Sequence, residues 1–164
     1  MILVVLENQR GNIHAFSKEA VAAGQSLSSK LGMDLSVLCM GENASTLKEQ
    51  ASDYKLQNLI LADHDMISTY SADGYSKVLS DVIKDLSPKY VIMGHSYMVR
   101  DFLPRVSAKL DIPFVSDIIS VTYDEDSPVF AIDNGSVFES SLLIKIALSA
   151  PLASPSFKTF DVLS

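Results

Sequence analysis

Four short apolar runs, each followed by a polar turn and then by a stretch of helical periodicity, leave this chain little choice of architecture. The runs are Ile2–Leu6, Leu35–Met40, and residues 59–62 and 91–93. Runs of this length, apolar but for Ser36, suit strands buried on both faces. The intervening stretches cover residues 17–31, 44–52, 71–86 and 101–110, long enough for crossovers between parallel strands. The predicted fold is therefore α/β, a three-layer α/β/α sandwich around a mostly parallel sheet.

The helix boundaries are read from capping chemistry. Ser17 and Ser71 are placed as N-caps, and Gly32 as a stop. The helix from Ser71 is the clearest. Tyr75, Val78, Leu79, Val82, Ile83 and Leu86 form one stripe, with Lys77, Asp81, Lys84 and Asp85 off it. After Gly94 a polar loop runs from His95 to Arg100. Asp101 is expected to cap the next helix, with Pro104 in its first turn, where the missing N–H costs little. Leu103, Val106 and Leu110 should face the sheet.

Beyond Pro113 the alternation changes. Residues 114–123 are rich in β-branched types, residues 129–132 form another strand candidate, and Asp133-Asn134-Gly135 is a tight-turn signal. Residues 142–148 read as one more strand. An antiparallel hairpin region is thus expected to follow the parallel sheet, within a single domain spanning 1–164. Its last part, 149–164, is an irregular tail in which residues 157–163 can pair as an edge strand.

With 164 residues, 48% of them hydrophobic and 20% charged, the chain can bury a sizeable core. The net charge of −7 argues against non-specific binding to nucleic acid or anionic membranes. No apolar run reaches membrane-spanning length. The start lacks a basic signal-peptide region, and Cys39, the single cysteine, allows no intrachain disulfide. A cytoplasmic or matrix-like compartment is expected.

Motifs for chemistry are sparse. The histidines His14, His64 and His95 lack metal-ligand spacing, and Asp63-His64-Asp65 reads as a solvated loop. There is no Gly-x-Ser-x-Gly elbow, and Glu7-Asn8-Gln9-Arg10-Gly11-Asn12 stands where a dinucleotide fingerprint would be. The richest corner is the loop before the fourth helix. Arg100 and Arg105 can clamp a phosphate, or pair with Asp101 and Asp117 as a structural cluster. Tyr97 and Met98 suit a docking surface.

Read as a whole, the chain resembles the N-terminal domain of the electron transfer flavoprotein alpha subunit, from Ile2 to about Tyr123. The opening Leu-Val-Val-Leu-Glu looks like the family's first strand, and Asn58-Leu-Ile-Leu-Ala-Asp-His64 like its third. The most specific part is Arg100-Asp-Phe-Leu-Pro-Arg-Val-Ser-Ala-Lys-Leu110 followed by Val115-Ser-Asp-Ile-Ile119. After Phe130 the chain departs, with Ala131-Ile-Asp-Asn-Gly where the family has an Arg and a Tyr-Ala-Gly-Asn-Ala-like turn.

The resemblance implies a fold of the adenine-nucleotide hydrolase type and a heterodimer with the beta subunit, which holds AMP. FAD is expected in a C-terminal domain of the alpha subunit, absent from these 164 residues, so this chain alone should neither hold FAD nor pass electrons. The assembled protein would take electrons from acyl-CoA and other dehydrogenases and deliver them to a membrane quinone reductase. The domain itself is implied to be a scaffold and interface without catalytic residues. Arg105 and Asp117 are expected to tie the fourth helix to the next strand. Two rivals share the fold: a stand-alone adenine-nucleotide binder using Glu7, Asp63 and Gly94, and an adenylate-cleaving enzyme. The lack of a phosphate-gripping Gly-rich loop counts against the enzyme.

Overall fold

The computed structural model describes residues 1–62, 64–124, 127–132, 137–139 and 143–147. Strand β1 (Ile2–Leu6) lies in the sheet interior and every one of its five residues is buried. Burying a Leu, Ile or Val side chain contributes about 1.5–3 kcal/mol, so this segment anchors the core. Its side chains alternate between two clusters. Ile2, Val4 and Leu6 pack with Ala20, Val21 and Leu27 of helix α1 (Ala15–Leu31). Leu3 and Val5 face Leu79 and Ile83 of α3 (Ala72–Leu86), and Phe102, Leu103 and Val106 of α4 (Tyr97–Leu110).

Two further strands extend the sheet on one side of β1: β4 (Leu35–Met40), then β5 (Asn58–Ala62), with the short helix α2 (Leu47–Ser52) between them in sequence. Strand β6 (Tyr90–Gly94) returns to the other side of β1. A two-stranded ribbon, β2 (Asn8–Gln9) and β3 (Asn12–Ile13), stands at the end of β1. The three-layer, mostly parallel arrangement expected from the sequence is borne out.

The antiparallel region is also present. Strand β7 (Phe114–Asp124) pairs with β8 (Ser127–Ile132), and β8 with β9 (Val137–Glu139), all antiparallel. One strand corrects the reading. The run near 142–148 forms β10 (Leu143–Ala147), which does not join the hairpins. It inserts between β6 and β7 and runs parallel to both, giving the order β5-β4-β1-β6-β10-β7-β8-β9. Leu143, Ile144, Ile146 and Ala147 give the mainly apolar character that suits a central parallel strand, with Lys145 the one charged residue in it. The expected turn at 133–135 and the edge strand at 157–163 lie outside the described residues.

Capping departs from expectation at two helices. His14, not Ser17, caps α1, its Nδ1 accepting from the Phe16 N–H at 3.1 Å. Ser17 is buried and its Oγ accepts from the Glu7 N–H at 2.9 Å, joining α1 to the end of β1. Ser96, not Asp101, caps α4, its Oγ accepting from the Val99 N–H. The helix therefore starts earlier, and Pro104 lies in its interior, where it offers no N–H to the Arg100 carbonyl. Ser71 caps α3 as read, bonding the Gly74 N–H, and Gly32 ends α1 in the left-handed conformation.

Candidate functional site

Chain order reverses between β1 and β6, since β1 leads to β4 on one side while β6 lies on the other. Open α/β sheets usually receive ligands outside the carboxyl ends of the strands at such a switch point. Here that crevice is lined by the chain's own groups. A Cβ placed on Gly94 at the end of β6 would fall 2.6 Å from the backbone of Phe16, so the first turn of α1 lies directly on the strand end. On the β4 side, Gly41 has φ 113° and carries the Tyr75 hydroxyl against its Cα. Burial raises the Tyr75 phenol above its ordinary range, with Glu7 and Glu42 adding to the effect.

Glu19, in the second turn of α1, has a buried Oε2 without a hydrogen-bond partner among the described residues. Burial raises its carboxyl, partly offset by the nearby His14. Cys39 is buried in β4, and its thiol is pushed up to about 11 by that burial. Among the described residues no group of His, Cys, Asp and Glu can hold a metal ion.

The loop and first turns of α4 hold the residues singled out from the sequence. Tyr97 is 89% exposed, and the Arg100 guanidinium lies over its ring, 5.8 Å from the centroid. Met98 is half-buried. Asp101 accepts the Tyr70 hydroxyl at Oδ2, 2.6 Å away. The Tyr70 ring packs edge-on against Tyr75, which in turn packs on Phe102. Burial and the Asp101 bond raise the Tyr70 phenol.

Arg105 and Asp117 do not pair. Arg105 Nη1 meets Asp73 Oδ1 at 2.9 Å, tying α4 to the first turn of α3. Asp117 Oδ1 meets His95 Nδ1 at 2.9 Å, tying β7 to the end of β6. The reason is placement: Arg105 is on the flank of α4 toward α3, whereas Asp117 is in β7 and reaches the residue after β6. The sequence reading missed the partners Tyr70, Asp73 and His95. The sequence carried one usable signal, the position of Asp73 in the first turn of an amphipathic helix.

A cleft of about 260 Å³ opens beside this network, lined by His95, Arg100, Pro104, Phe114, Ser116 and Asp117. It lies between α4 and β7, and its lining residue His95 directly follows Gly94 at the end of β6. Asp117 adopts φ 57°, and the pairing of β7 with β10 shifts register between Lys145 and Ala147. A bulge at this point redirects the strand where it meets His95.

Residues 2–142 match the family described as the electron transfer flavoprotein domain. The chain belongs to the electron transfer flavoprotein family. It is 34% identical over 140 residues to an electron transfer flavoprotein subunit alpha from Bacillus subtilis, covering 84% of this chain and 42% of that relative. A subunit alpha from Clostridium acetobutylicum is 25% identical over 126 residues, 77% of this chain and 38% of the relative. A protein FixB from Clostridium saccharobutylicum is 26% identical over 154 residues, 94% and 44% respectively. The chain thus spans about two fifths of the length of these relatives. The alpha-subunit resemblance read from the motifs is borne out. Among the described residues of this electron transfer flavoprotein domain, no helix is long and apolar enough to cross a membrane.

Proposed function

We propose that this chain is the scaffold and subunit-interface portion of an electron transfer flavoprotein alpha-type subunit. It supports flavin electron transfer without catalytic residues of its own. Another portion of the subunit carries FAD, and a beta-type partner carries AMP. The assembled protein accepts electrons from acyl-CoA and other dehydrogenases and passes them to a quinone reductase, in the bacterial cytoplasm or the mitochondrial matrix. The observation that supports this reading is the close packing at the strand ends. The Phe16 backbone lies against Gly94 and the Tyr75 hydroxyl against Gly41, which we read as leaving a nucleotide little room there. The exposed Tyr97 beside Met98 and Arg100 then gives the carboxyl edge a surface suited to another polypeptide. Asp101, Arg105 and Asp117 hold that surface in place through Tyr70, Asp73 and His95.

Two measurements test this. Co-expression with a beta-type subunit should give a heterodimer on size exclusion, weakened by Tyr97→Ala. Thermal unfolding with millimolar AMP or ATP should leave the midpoint of this chain alone unchanged. A ligand of the native state raises that midpoint by mass action, so a clear rise with AMP overturns the scaffold reading in favour of a stand-alone nucleotide binder.

A further inference from the structure

The cleft between α4 and β7 offers a chemistry of its own. Its volume, about 260 Å³, is just below the usual range for drug-sized ligands and suits a small molecule or one side chain. Pro104 and Phe114 make an apolar wall, and His95, Arg100, Ser116 and Asp117 supply the polar groups.

The charges in this wall are unequally engaged. Arg105, the neighbouring cation on α4, is held by Asp73. Arg100 has no carboxylate partner among the described residues. Its guanidinium is over the Tyr97 ring, an arrangement that keeps the N–H edge free for an acceptor. The first turn of α4 carries no acidic side chain, and the nearest carboxylate on the helix, Asp101, is bonded to the Tyr70 hydroxyl. Asp117 is the contrary charge. His95, whose side chain is only 10% exposed, holds one of its oxygens and leaves the other for a donor. A bare anion would therefore meet repulsion, whereas an anion with an adjacent N–H or O–H would satisfy both sides.

We propose that this cleft binds a carboxylate flanked by a hydrogen-bond donor. Arg100 grips the carboxylate, Ser116 adds a hydroxyl, Asp117 accepts the donor, and Pro104 and Phe114 cover the carbon part. Two sources share this chemistry: an acidic residue within a polypeptide, with its own backbone N–H, and a free 2-hydroxy acid. The inference stands on the cleft alone and does not depend on the electron-transfer reading.

The test uses ¹H–¹⁵N spectra of the full chain, titrated at constant ionic strength with N-acetyl-aspartate N-methylamide and, separately, with glycolate. Saturable shifts at the amides of His95, Ser96, Arg100, Ser116 and Asp117 are expected with at least one probe. Saturation by the blocked aspartate alone assigns the site to a polypeptide; saturation by glycolate alone assigns it to a free hydroxy acid. Arg100→Gln should weaken binding about tenfold, the loss of one charge-assisted contact, and Arg100→Lys should restore part of it. Ser116→Ala, weaker by a smaller factor, provides a second variant should the first not fold. Linear, non-saturating shifts with both probes, or affinity unchanged in both Arg100→Gln and Ser116→Ala, overturn the proposal.

Discussion

Tyr70 donates its hydroxyl to Asp101 Oδ2 across 2.6 Å and so clasps the segment before α3 to α4. The two helices already share a core, with Ser76 Oγ reaching the Phe102 carbonyl at 3.1 Å. The Tyr70 bond adds an outer tie over the Tyr75–Phe102 ring pair. Tyr70→Phe should cost about 1 kcal/mol, and a double-mutant cycle with Asp101→Asn should return coupling of similar size. The pH sign follows from the direction of the shift. The folded phenol lies above its unfolded range, so the tie is fully present below about pH 10 and is lost as pH rises beyond it. Urea unfolding at pH 8 and pH 10.5 should show the gap between wild type and Tyr70→Phe narrowing.

Gly94 is where α1 meets the sheet, and the neighbour that a side chain would strike is backbone. Gly94→Ala should destabilise by about 2 kcal/mol or more, because the first turn of α1 must move to admit a methyl. In an open strand site the same change gains a few tenths of a kcal/mol. A urea midpoint at or above wild type would mean that Phe16 yields freely.

Asp117 combines a left-handed backbone with the His95 contact. Its φ of 57° is tolerated by Asp and Asn but strained for a β-branched residue. Asp117→Asn keeps an oxygen for His95 Nδ1 and should be nearly neutral. Asp117→Val should be about 1–2 kcal/mol worse than Asp117→Asn. Equal midpoints in thermal unfolding would place no weight on the bulge.

Cys39 reports on the sheet interior. Its thiol is buried in β4 and raised to about 11, so few molecules carry a thiolate at pH 8. Labelling by an aromatic disulfide reagent should be at least about 10³-fold slower than for an unfolded control, because it waits on opening of the core. Reaction within seconds in native buffer would contradict this burial.

What was legible in the sequence was whatever local chemistry decides. β1 and β4 showed as apolar runs, and Ser71 and Gly32 as caps, because each depends on neighbours within one turn. Ser17 misled for the opposite reason. It is a good cap residue, but a tertiary bond to the Glu7 N–H uses its hydroxyl, and His14 takes the helix end. Asp101 misled in the same way, its carboxylate going to Tyr70. The apolar run that became β10 announced a strand but not its neighbours, since pairing with β6 and β7 is a long-range choice. Partners such as Arg105 with Asp73 and His95 with Asp117 share no helix or hairpin, so no periodicity links them.

The position of β10 has a consequence for how the domain is built during synthesis. Every other strand of the sheet core emerges from the ribosome before Leu143 does. Until then β6 and β7 each present a bare hydrogen-bonding edge with a strand-wide slot between them. A nascent chain paused in that state is open to invasion by a strand from a second molecule, and the chain's own Leu143–Ala147 must win that race.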